Sequence, residues 1–61
     1  MDGWLLAQKA LIASIEAEIE AMKVSNQEMS KRGESIAYPE TSFMDKARQL
    51  EGIYFDIMHN R

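Results

Sequence analysis

His59 is the single histidine of a 61-residue chain, and imidazole is the side chain whose ordinary titration suits acid–base catalysis near neutral pH. It lacks the companions such chemistry needs. There is no cysteine to serve as nucleophile or soft metal ligand. The serines fall in segments read below as loops, helix caps or helix surfaces, with no base and acid spaced to serve them. His59 is therefore read as a solvated terminal imidazole. Glu16, Glu18 and Glu20 come next, since clustered carboxylates hold hard cations. On a helix, however, adjacent members diverge and only Glu16 and Glu20 share a face, where they repel mildly. They read as a solvated acidic face able to steer a basic protein surface. Lys31, Arg32 and Tyr38 form a third group, suited to a phosphate-bearing small ligand; the competing reading is a basic helix end complementing the dipole. No catalytic, cofactor-binding or metal-ligating residue is assigned.

The elements that would position these groups are two helices. Residues 2–32 hold no proline and place Leu5, Ile12, Ile15, Ile19, Met22 and Met29 on one helical stripe, at steps of three, four or their sum of seven. In a heptad frame the a positions are Leu5, Ile12, Ile19 and Asn26, and the d positions are Gln8, Ile15, Met22 and Met29. Asp2 is a candidate N-cap, and Lys31, Arg32 and Gly33 make a helix stop, with Gly33 expected in left-handed geometry. Ser25 and Glu28 also match a capping box, which would kink or restart the helix there.

Residues 33–41 form the expected loop, with Pro39 disfavouring helical geometry at Tyr38. Ser42 and Asp45 then mark a helix start with Ser42 as N-cap, so the second helix spans about 42–59. Phe43, Ala47, Leu50, Tyr54 and Ile57 form its expected inward stripe. Ile53, Tyr54, Phe55, Ile57 and Met58 cover most of its circumference, which marks a segment buried on more than one side. Gly52 reads as weak local helix propensity or as a point of close helix approach. The expected fold is all-α, a single-domain antiparallel hairpin.

Registered outward from the loop, Met29 falls near Phe43, Met22 near Leu50, Ile19 near Tyr54 and Ile15 near Ile57. The second helix would then end around Ile12, leaving an apolar arm of Trp4, Leu5, Leu6 and Leu11 projecting past it. Below roughly 70 to 80 residues one core seldom supplies more than about 3 to 5 kcal/mol, and no disulfide or usual zinc site is available. Leaving the arm in water would forgo several kcal/mol at about 25 cal/mol per Å². A second copy is expected to cover it, giving a dimeric four-helix bundle. The expected interface is Trp4, Leu5, Leu6, Leu11, Ile12, Ile53, Phe55, Ile57 and Met58. Asn26, polar on the seam, is a candidate for fixing register, and Gln8 is expected to be exposed on the arm.

The net charge of −3, without a long basic run, disfavours nucleic acid as partner, and the 46% apolar content is that of a folded protein. Gln8 and Lys9 break the apolar run well short of the roughly 20 residues that span a bilayer, and Asp2 stands where a signal peptide carries a base. A cytoplasmic location away from membranes is expected.

The acidic, cysteine-free, two-helix layout and the opening MDGWLLAQKALIASIEAEIEAM resemble the very small early proteins of lambda-like phages, encoded between the exonuclease and excisionase genes. The resemblance implies a non-enzymatic protein made early in infection that alters host physiology through a host protein. In architecture the chain is also similar to a phage anti-defence helical hairpin that assembles into oligomers and sequesters cyclic nucleotides. That likeness implies the alternative of a sequestering module for a small phosphorylated ligand.

Overall fold

The structure is a computed structural model and describes residues 3–59. Two helices, α1 (Gly3–Lys31) and α2 (Glu40–His59), pack against each other as a hairpin. The expected N-cap Asp2 lies outside the described residues. Helix α1 runs unbroken through Ser25–Glu28, so the capping box there opens no second helix. The residues on either side keep the same seam, and their packing outweighs the local cap.

Gly33 ends α1 as its position implies, with φ of +76°. Its N–H donates to Ser30 O at 3.0 Å and the Glu34 N–H donates to Met29 O at 2.8 Å. This pair of bonds is a Schellman closure, which satisfies carbonyls the helix leaves over. At the other end of the loop α2 begins two residues earlier than Ser42. Pro39 stands just outside the helix, its carbonyl accepting the Ser42 N–H at 3.0 Å. Proline has no N–H to satisfy and its fixed φ suits a helix entrance, so it opens α2 and Ser42 sits inside the first turn.

The heptad of α1 survives intact: Leu5, Gln8, Ile12, Ile15, Ile19, Met22, Asn26 and Met29 are all buried or half-buried. Gln8 is thus half-covered, against the expectation of exposure. The stripe of α2 is rotated from the expected one. Phe43, Leu50 and Ile57 do turn inward, but Lys46 and Ile53 occupy the places expected for Ala47 and Tyr54, which are exposed. Both choices keep a three-and-four spacing. The rotation buries branched Ile53 and leaves the Tyr54 hydroxyl in water.

The register shifts with it. Lys46 reaches Glu18, about two turns nearer the start of α1 than the expected register puts it, and Met22 shares a groove with Ser42, Asp45, Lys46 and Gln49. Counting thirteen residues on from Lys46 reaches His59, and thirteen back from Met22 reaches Lys9. The overhanging arm is therefore about Gly3–Gln8, and Leu11 and Ile12 lie level with α2.

The hairpin is a slab one helix thick, with Cα extents of 49 × 19 × 9 Å. The buried apolar side chains among the described residues are Ile15, Met22 and Ile53, and each keeps a few per cent of its surface exposed.

Candidate interaction surfaces

Asn26, near the loop end of α1, faces Tyr38 across the chain. Its Nδ2 donates to Tyr38 O at 2.8 Å, and its Oδ1 accepts the Tyr38 N–H at 3.0 Å. Tyr38 precedes proline and stays out of the helix, so both its backbone groups need partners. The seam asparagine supplies them. Its amide is thus committed within the chain, where it fixes the loop against α1.

Below this clamp one broad face of the slab carries a groove of about 400 Å³, lined by Glu18, Ala21 and Met22 of α1, Tyr38, and Ser42, Asp45, Lys46 and Gln49 of α2. Lys46 runs its aliphatic stem along the groove and its Nζ meets Glu18 Oε2 at 2.9 Å. With Glu18 half-exposed, the pair ties the helices together by no more than about 1 kcal/mol. Asp45 leans the other way, to Arg48 at 3.4 Å. The groove's charges are two carboxylates and one ammonium already paired, an arrangement that does not attract a phosphate.

The expected phosphate group is not assembled around that groove as a whole. Tyr38 lines it, whereas Arg32 turns to Glu34, Nε to Oε1 at 3.1 Å. Glu20 pairs with Lys23 at 3.2 Å instead of joining Glu16 as a cation site, and no group of three or more candidate metal ligands occurs among the described residues. His59 Nδ1 lies 2.9 Å from Phe55 O, where a protonated nitrogen donates to the carbonyl. Its ring stacks on Phe55 with centroids 4.0 Å apart. No described helix is long and apolar enough to cross a membrane.

The residues expected to form an interface do not lie on one surface. Leu5, Ile12 and Ile57 are half-buried on the seam. Ile53 is 8% exposed and packs within the hairpin, so its assignment to an interface between copies is corrected. Leu6 points to the outer edge of α1, about 100° round from Leu5, where exposed Val24 also lies. Leu11 and Trp4 remain partly exposed, and Phe55 and Met58 are the most exposed large apolar residues of α2.

Comparison of the chain with known protein families, curated sequences and solved structures returns no match. Met44, at 48% exposure, and Ile36 in the loop add apolar area that the seam did not announce. The rotated stripe was the missed signal: with Lys46 and Ile53 inward, Met44, Ala47, Tyr54 and Met58 line up on the outside of α2 at steps of three, seven and four.

Proposed function

We propose that this chain is a non-enzymatic interaction module working as a self-associated helical hairpin, two copies forming a four-helix bundle. The supporting observation is the thickness of the slab. A single helical layer of 9 Å buries Ile15, Met22 and Ile53 and leaves Leu6, Leu11, Tyr54, Phe55 and Met58 largely in water. So thin a core falls short of what a stable small domain needs. Bundles solve this problem by closing a second layer over the first.

The groove face, with Glu18 and Asp45, is left for a different protein carrying basic groups. The setting we propose, on the resemblance to phage early proteins, is the host cytoplasm. The second reading, capture of a phosphorylated small ligand, draws no support from a groove whose lysine is already paired.

Native mass spectrometry of gently purified protein tests the proposal. A homodimer without added mass is expected. A bare monomer at micromolar concentration would refute self-association, and an oligomer carrying a small anion would replace the leading reading with the sequestering one.

A further inference from the structure

The two broad faces of the slab differ. Among the described residues the buried side chains, Ile15, Met22 and Ile53, belong to the row bordering the groove or in line with it, while the adjacent row is half-exposed along its length. The helix step explains which side that row is on. Each residue advances about 100°. Glu18, Ser42 and Gln49 line the groove, and the next residues, Ile19, Phe43 and Leu50, therefore turn past the seam toward the opposite face. Tyr54 and Met58 stand exposed beside them on α2.

Resting on the self-association proposed above, we infer that this face, opposite the groove and centred on Ile19, Phe43, Leu50 and Tyr54, is where a second copy of the chain docks. Three observations select a second copy. The slab measures 49 × 19 Å across, enough for the roughly 800 Å² per partner of a standard stable interface. Both helices carry apolar side chains there at heptad spacing, Ile12 and Ile19 on α1 and Phe43, Leu50 and Ile57 on α2. The face therefore offers the same knob spacing that it must receive, as a two-fold interface requires.

Charge is the third. Glu18 and Asp45 lie on the groove side, while the helix step puts Lys9, Glu16, Glu20 and Lys23 along the α1 rim of the apolar face and Glu51 beside Ala47 and Tyr54 on α2, charges of both signs. An apolar centre with a mixed charged rim is the anatomy of a protein interface. The groove, with the Asn26–Tyr38 clamp above it, stays outward on each copy.

The chain contains no cysteine, so single introduced thiols report each surface without background. Alkylation rates of Y54C, Q49C and V24C sample the inferred face, the groove face and the outer edge of α1. They are read in dilute and concentrated protein, with sedimentation velocity on the same samples and circular dichroism confirming helix. We expect Y54C to react on the order of tenfold more slowly in the concentrated dimer, by mass action, with Q49C and V24C unchanged. If Y54C fails to fold, A47C reads the same face. A dimer that protects Q49C or V24C and leaves Tyr54→Cys open overturns the choice of face while self-association stands. A folded monomer at every concentration overturns both.

Discussion

The side chain of Asn26 and the backbone of Tyr38, twelve residues apart, exchange two hydrogen bonds of 2.8 and 3.0 Å. An asparagine amide offers a donor and an acceptor side by side, matching the N–H and C=O of a residue held out of helical geometry by the proline after it. Pro39 then opens α2 directly. One polar side chain on the α1 seam thus ties down the residue from which the second helix departs, just above the groove that Met22 shares with Asp45 and Lys46.

Removing that amide loosens the loop. Asn26→Ala should cost about 1 to 2 kcal/mol, the net worth of two partly solvated hydrogen bonds. Urea unfolding reads the loss, and the Tyr38 amide should lose its protection from hydrogen exchange ahead of the rest of the chain. Unchanged stability together with a protected Tyr38 amide would contradict the clamp.

The glycines should respond in opposite directions. Gly33 sits at φ +76°, where a Cβ is strained, so Gly33→Ala should destabilise by about 1 kcal/mol or more. Around Gly52 nothing lies within 4 Å of an added Cβ, and Gly52→Ala should stabilise α2 by about 1 kcal/mol through helix propensity alone. The helix step also keeps Gly52 away from the face inferred for the second copy. Thermal unfolding of both variants checks the pair, and a destabilised Gly52→Ala would point instead to close approach of another helix.

Glu18→Gln removes the ion pair with Lys46. With Glu18 half-exposed, the expected loss is under about 1 kcal/mol and should shrink further in concentrated salt. A larger, salt-independent loss measured by urea unfolding would mean that the pair is far less solvated than its exposure indicates.

The hairpin was legible because α1 has one dominant period. Its eight seam positions, Leu5 to Met29, are those the structure covers, and Gly33 announced its own left-handed turn. α2 was harder to read because its apolar residues offer two phases of equal spacing. Only packing chooses Lys46 and Ile53 over Ala47 and Tyr54, since a lysine stem can lie in a seam while its ammonium reaches Glu18. For a related reason α2 starts ahead of Ser42. Ser42 and Asp45 form a plausible cap, but proline at the entrance and the tethered Tyr38 set the boundary at Glu40. As for the surfaces, the sequence places Trp4, Phe55 and Met58 among the expected interface residues and the structure leaves all three exposed, whereas the difference between the two broad faces required the observed phase of α2.

The proposed dimer supposes that one slab is too thin to hold itself, so that its stability is shared between copies. Urea unfolding followed by circular dichroism over a hundredfold range of protein concentration tests this directly, because dissociation coupled to unfolding makes the midpoint depend on concentration. The midpoint should rise steadily with concentration. A midpoint fixed across the range, with full helix at the lowest concentration, would show that the hairpin is stable alone and would contradict the account.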